Sequence, residues 1–186
     1  MKLTKYIIFL NCLLFMRLDP ISIFLQKYSI LIPNLIFQKK NLLSLLFCNL
    51  YHTNIPHIYY NMISLQRIGD KIQSIYGLEN YFFIVLFLAI FSNIINCFIS
   101  YFIMNYFNFP YFFFSGYLGF SNIIFGLNYL FYNDLNTDVS FFGFKIHSSK
   151  VIFFDLIVTS LLFTNTSLFG HLSGIIVGWF LKNYIL

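Results

Sequence analysis

Residues 81–104 read YFFIVLFLAIFSNIINCFISYFIM, without a single formal charge. A helix crossing lipid needs about 20 apolar residues to span a hydrocarbon core about 30 Å thick. This stretch is therefore a membrane span, and it makes the chain an integral membrane protein. Outward from it the composition keeps the same character. Of 186 residues, 59% are hydrophobic, 23% aromatic and 9% charged, with a mean hydropathy of +0.78. A soluble domain carries roughly 25% charge. The formal net charge of +5 is small, and no basic patch alternates with polar sequence, so nucleic acid is not an expected partner. The richness in Phe, Ile, Leu, Tyr, Asn and Lys fits the codon bias of an AT-rich genome, which lowers the weight of any one Asn, Tyr or Phe. Histidine occurs four times and carries more.

Five further spans flank the first. One covers about 6–25, interrupted by Arg17, Asp19 and Pro20. Its Lys2 and Lys5 followed by an apolar run resemble a signal peptide, but no small-x-small cleavage site follows, so an uncleaved signal-anchor helix is expected. Residues 27–40 read as a loop with a turn at Pro33-Asn34. The second span starts near Pro56, ends in Arg67, Asp70 and Lys71, and is closed by Gly77. After the span at 81–104 comes a short loop to Phe114. The fourth span runs from about 116 to 132, and 141–150 reads as a mixed loop. The fifth covers about 151–163, residues 164–167 are a tight connection, and the sixth runs from about 168 to 184.

Six spans put both termini on one side. With that side cytosolic, it holds Lys2, Lys5, Arg67, Lys71, Lys145, Lys150 and Lys182, against Arg17, Lys27, Lys39 and Lys40 opposite. Seven against four favours cytosolic termini. The start of span two, the Ser121 end of span four and the His171 end of span six then share one depth on the lumenal or extracellular face.

Polar groups inside a bilayer are costly and tend to be functional. His57 and Asn61 are four apart and share a helix face; His52 precedes them in the loop. An imidazole and a carboxamide side by side suit the stabilisation of an oxyanion, or simply bond between helices. Ser121 lies in Gly116-Tyr-Leu-Gly119-Phe120-Ser121-Asn122, where glycines permit a sharp turn into a helix; alone it equally reads as a serine bonding its own helix. Gly170, Gly174 and Gly178 recur every four residues, a stripe that lets membrane helices approach closely, and His171 sits beside it. A serine and a histidine on packed helices make a nucleophile and its base. Cys12, Cys48 and Cys97 have no metal or redox spacing and read as packing residues. A metal site of His52, His57 and His171 lacks a carboxylate or thiol ligand. A transporter would need an inverted repeat or paired broken helices, and neither is visible.

Together these residues resemble the rhomboid family of intramembrane serine proteases. The family's His-x4-His-x3-Asn run is matched by His52, His57 and Asn61, its Gly-x-Ser-Gly motif by Gly119-Phe120-Ser121-Asn122, and its His-x2-Gly-x3-Gly by His171, Gly174 and Gly178. The resemblance covers about Leu42 to Leu181 of a single membrane domain spanning 1–186. It implies an all-α integral membrane fold, a six-transmembrane-helix rhomboid-like bundle. It implies Ser121 as nucleophile and His171 as base, with His57, Asn61 and backbone N–H groups near Phe120 and Ser121 as the oxyanion hole. His52, Gly119, Phe125, Gly174 and Gly178 would support the site. It implies no cofactor and no metal, a membrane-protein substrate with a transmembrane helix, and action within the lipid bilayer. Gly119-Phe-Ser121, the string around Phe142-Gly143-Phe144, and Asp155 look most similar to the endoplasmic-reticulum rhomboids of eukaryotes, which implies that or another endomembrane as location.

Three positions depart from the pattern. Asn122 replaces the glycine after the serine and adds bulk where spans four and six should touch. Gln73 replaces a glutamate in Gly69-x3-Gln73-x3-Gly77. Phe125 replaces a tyrosine that stacks on the histidine. The first two point to low activity, and Asn122 best supports a rival reading, a catalytically weak or inactive rhomboid-like protein that binds and routes membrane proteins. Asp155, a carboxylate inside span five, reads as a packing or structural group rather than a third catalytic member.

Overall fold

The computed structural model describes residues 2–16, 25–135, 137–141, 143–162 and 167–186. Helix α1 is Leu3–Met16, and a 3-10 turn at Gln26–Tyr28 follows. Short helices α2, Pro33–Lys39, and α3, Ser44–Phe47, lead into a 3-10 turn at Cys48–Leu50. The 53-residue helix α4 runs Ile55–Phe107. Then come α5, Tyr111–Phe114, α6, Ser121–Leu135, the strands β1, Asp138–Phe141, and β2, Phe144–His147, α7, Ser148–Leu162, and α8, Leu168–Tyr184.

Helix α4 is two rods. Gly77 inside it has φ 81 and ψ 172, outside helical values, so the chain turns where a glycine alone tolerates that backbone. Residues 55–76 and 78–107 rise ~33 Å and ~45 Å at 1.5 Å per residue, each long enough for a hydrocarbon core. Among the described residues, α4 alone passes a test of length and apolarity for a membrane span. The remaining rods are shorter than the nominal 20 residues; α8 has 17 and α6 and α7 have 15 each. The first expected span is represented by α1, and its interruption at Arg17, Asp19 and Pro20 lies outside the described residues. So do Phe142 and residues 164–166 of the expected tight connection.

Three expectations need correction. Residues 27–40 are not plain loop, because Pro33, which suits a helix's first turn, opens α2. The fourth rod starts at Ser121 rather than 116, because Gly119 at φ +114 cannot belong to a helix. Residues 141–150 are not mixed loop: β1 and β2 pair antiparallel, Asp138 opposite His147 and Phe141 opposite Phe144, with Gly143 in the turn at φ +83. Helix α7 then begins at Ser148.

Helix α4 packs against both α6 and α8, which pack on each other. Leu65, Ile72, Ile84, Leu88, Leu127 and Leu181 are fully buried in one cluster. Large apolar side chains such as Phe82, Phe91, Phe98, Trp179 and Phe180 point outward, as lipid-facing helices require. The stripe on α8 meets α6. A methyl on Gly178 would lie 2.7 Å from the Gly126 carbonyl, and one on Gly174 would strike the Asn122 carbonyl. Gly170 does not join this contact; its N–H donates to Ser167 Oγ at 2.9 Å and caps α8.

Helix α1 is pinned to the far end of the first rod. Gln73 Oε1 accepts from the Leu3 N–H at 2.9 Å, satisfying one of the free donors of a helix start. Lys2 pairs with Asp70 at 2.8 Å, a surface bridge of about 0–1 kcal/mol.

Candidate active site

The site forms where α4 begins, α6 begins and α8 begins. Asn54 caps α4 by accepting from the His57 N–H at 2.9 Å, with Pro56 in the first turn. This sets His57 in the first turn and Asn61 directly below it. Ahead of α6, Leu31 and Tyr117 exchange two backbone hydrogen bonds of 2.8 Å each, and the Gly119 N–H donates to the Cys48 carbonyl at 3.0 Å. The turn into Ser121 is thus held on one side before the helix begins. Ser167 caps α8 and places His171 in its second turn.

Ser121 Oγ and His171 Nε2 are 3.0 Å apart, across 50 residues of chain. With the neutral ring protonated on Nδ1, the hydroxyl donates to Nε2. His171 is 2% exposed, and its Nδ1 has no hydrogen-bond partner among the described residues. Phe125 stacks on the ring, centroids 4.3 Å apart and planes 24° apart. The electrostatic neighbours of Asp155 are Arg67 and Tyr132, not His171.

His57 Nε2 faces Gly119 so closely that a methyl there would sit 2.7 Å from it. Its Nδ1 faces the Thr53 N–H at 3.5 Å and Thr53 Oγ1 at 3.1 Å. A backbone N–H can only donate, so Nδ1 is the acceptor and Nε2 carries the proton. A ring N–H is thereby aimed at the turn before Ser121. The N–H groups of Ser121 and Asn122 belong to the first turn of α6, where intrahelical acceptors are lacking. Phe120 is buried, 2% exposed, and its carbonyl accepts from Ile124. Asn61 Nδ2 donates to the His57 carbonyl at 2.8 Å, the bond within its own helix, and Oδ1 is buried without a partner among the described residues.

His52 packs edge-on against His57, centroids 5.0 Å apart. It lines a cavity of about 200 Å³ with Leu14, Phe15, Tyr51 and Thr53. Burial, and then the neighbouring His57, push its pKa down to about 3. No group of three or more His, Cys, Asp or Glu among the described residues has the geometry of a metal site.

Asn122 alters the picture drawn from sequence. It is the backbone carbonyl of Asn122, not the side chain, that meets Gly174. The side chain turns the other way and donates to Asn93 Oδ1 at 3.1 Å. The bulk expected between α6 and α8 is absent from that contact. Sequence reading missed Thr53, Asn54 and Asn93. Asn54 is findable as a capping residue two before Pro56, whereas Asn93 carries no signal of its own in a chain this rich in asparagine.

A family model described as Rhomboid domain matches residues 39–186. Rhomboid-like protein 14, mitochondrial, of Arabidopsis thaliana is 28% identical over 147 residues, which cover 78% of this chain and 44% of that protein. Rhomboid-related protein 4 of Homo sapiens is 26% identical over 145 residues, covering 76% and 45%. The same-named protein of Mus musculus is 25% identical over 143 residues, covering 76% and 45%. The chain spans a little under half the length of these curated relatives.

Proposed function

The chain belongs to the rhomboid family, and on that premise we propose that it is an intramembrane serine endopeptidase acting through a Ser121–His171 dyad. The observation that carries the proposal is the 3.0 Å approach of Ser121 Oγ to His171 Nε2, between the starts of α6 and α8. In this reading the molecule is one rhomboid-like domain with its core at about 42–181. Its six spans are α1, the two rods of α4, α6, α7 and α8.

The substrate is a membrane protein whose transmembrane helix is cut near the lumenal boundary. A helical peptide bond is shielded and its carbonyl already bonded, so the substrate must unwind locally; small or helix-weakening residues lower that cost. His171 Nε2 takes the Ser121 proton as Oγ bonds to the scissile carbonyl carbon. The carbonyl oxygen becomes an oxyanion, stabilised by the His57 Nε2–H, the Asn61 carboxamide and first-turn N–H groups beside Phe120 and Ser121. The C–N bond then breaks and the leaving amine takes the proton from His171. Water attacks the resulting ester, gives its proton to His171, and Ser121 recovers it as the acid product leaves. Phe125 holds the imidazole by stacking alone, His52 and Gly119 shape the approach, and Gly174 and Gly178 keep α8 against α6. No cofactor enters this scheme. The endoplasmic reticulum or another endomembrane is the proposed location, and organelle fractionation discriminates it from the mitochondrial location in one relative's name.

The rival, a non-cutting rhomboid-like protein that binds and routes membrane proteins, drew on Asn122, and its side chain faces Asn93 instead of α8. The test is cleavage of a reporter membrane protein in reconstituted vesicles. The wild-type chain releases fragments, and Ser121→Ala inserts and folds but releases none. Cleavage retained by Ser121→Ala, or absent in the wild type against a panel of helix-weakened reporters, contradicts the proposal.

A further inference from the structure

Three buried asparagines lie just behind the site. Asn49, Asn93 and Asn122 are 2%, 4% and 5% exposed, and they come from the turn before α4, the second rod of α4 and the first turn of α6. Asn93 joins the other two. Its Nδ2 lies 2.7 Å from the Leu45 carbonyl, 3.0 Å from the Ala89 carbonyl, 3.2 Å from Asn49 Oδ1 and 3.2 Å from Cys48 Sγ. Its Oδ1 accepts from Asn122 Nδ2. Asn122 Oδ1 accepts from the Ile123 N–H at 2.8 Å, and Asn49 Nδ2 donates to the Leu46 carbonyl at 2.8 Å.

A saturated amide network in a low-dielectric interior is rigid, because every alternative leaves a buried polar group unpaired. This one bears on Ser121 from both sides in sequence. On one side the Gly119 N–H is bound to Cys48. On the other, Asn122 is bound through Asn93 to Asn49, the residue after Cys48. The same short segment therefore grips the chain before and after the serine. Towards α8 the turn cannot shift, since the Asn122 carbonyl already rests on Gly174. Towards the second rod of α4 it is held by one hydrogen bond, from Asn122 to Asn93.

We propose that Asn93 is a positioning residue for Ser121: by holding Asn122 it fixes the first turn of α6 so that the hydroxyl stays on His171. The inference rests on the protease reading, and it makes the asparagine after the serine one half of a matched pair rather than a defect.

The experiment uses the full chain in lipid vesicles. It measures the rate of phosphonylation of Ser121 by a fluorophosphonate, kcat and KM for reporter cleavage, and Tm. Phosphonylation bonds Ser121 Oγ to phosphorus, expels fluoride and sends the hydroxyl proton to His171, so its rate reads the poise of the dyad. Asn93→Leu, which keeps the branched outline without the amide, and Asn122→Ala are each expected to lower the labelling rate and kcat roughly tenfold at unchanged KM, as a displaced reacting group does. The double variant is expected to be no slower than the slower single one. Ile84→Val, a core change remote from the network, supplies a matched loss of Tm and is expected to label at the wild-type rate. Should Asn93→Leu fail to fold, Asn122→Ala carries the same expectation alone. Wild-type rates in folded Asn122→Ala, multiplying effects in the double variant, or an equal loss in Ile84→Val would overturn the inference. A wild-type chain that neither labels nor cleaves is a different result: it removes the protease reading, and this inference with it.

Discussion

A serine hydroxyl becomes a nucleophile only when a base can take its proton, and the chemistry proposed here rests on one ring nitrogen and its distance from Ser121. Histidine was a good guide because the composition disfavours it. The positions of His52, His57 and His171 were readable in sequence, and the structure brings all three to one end of the bundle. What sequence could not supply was orientation. The Thr53 N–H facing His57 Nδ1 sets the tautomer, and no spacing rule reveals that. His52 gives a test at this scale. Its folded pKa of about 3 lies below the ordinary 6.5. As pH falls below 6.5, the unfolded chain takes up a proton that the folded ring refuses. Stability is therefore complete above 6.5 and declines steadily until the folded ring also protonates near pH 3. We expect the Tm of the wild type to fall between pH 7 and 4 more steeply than that of His52→Phe, which keeps an aromatic ring and loses the titration. Parallel curves would mean that His52 is not held neutral by the fold.

At the scale of elements, periodicity served well where glycine sets packing. The glycine stripe on α8 marked a close helix contact, which the structure makes with α6 at Gly174 and Gly178 but not at Gly170, and Gly77 marked the break in α4. It served poorly where backbone conformation cut across an apolar run. Gly116-Tyr-Leu reads as the start of a helix, yet Tyr117 bridges to Leu31 and Gly119 turns at φ +114 with its N–H bound to Cys48, so the helix starts only at Ser121. The β1–β2 hairpin was hidden by a phenylalanine-rich stretch with one glycine to mark its turn. The glycines of α8 also differ from one another, and substitution separates them. In Gly174→Ala the new methyl meets the Asn122 backbone, which cannot yield; overpacking of this kind costs about 1–3 kcal/mol. In Gly170→Ala the methyl meets Ser167 Oγ at 3.1 Å and Cβ at 3.2 Å, parts of one short side chain. We expect a clear fall in Tm and in Ser121 labelling for Gly174→Ala, with a smaller change for Gly170→Ala. Equal effects would show that the glycine stripe is not what seats α8 on α6.

At the scale of the molecule, membrane class and family were legible from hydropathy and from three motifs spread over more than a hundred residues. The network behind the site was not. Asn49, Asn93 and Asn122 are far apart in sequence and belong to a residue type that the composition makes common, so only their convergence in three dimensions gives them meaning. The contact between Ser121 and His171 is likewise a property of the whole: the two side chains lie near the starts of different rods, and they meet only because α6 packs on α8. The most direct measurement is to react the chain in lipid vesicles with a fluorophosphonate and locate the adduct by peptide mass spectrometry. One adduct is predicted, on Ser121, its formation abolished or reduced by orders of magnitude in His171→Ala while that variant stays folded. An unmodified Ser121, or modification at the same rate without His171, would contradict the account.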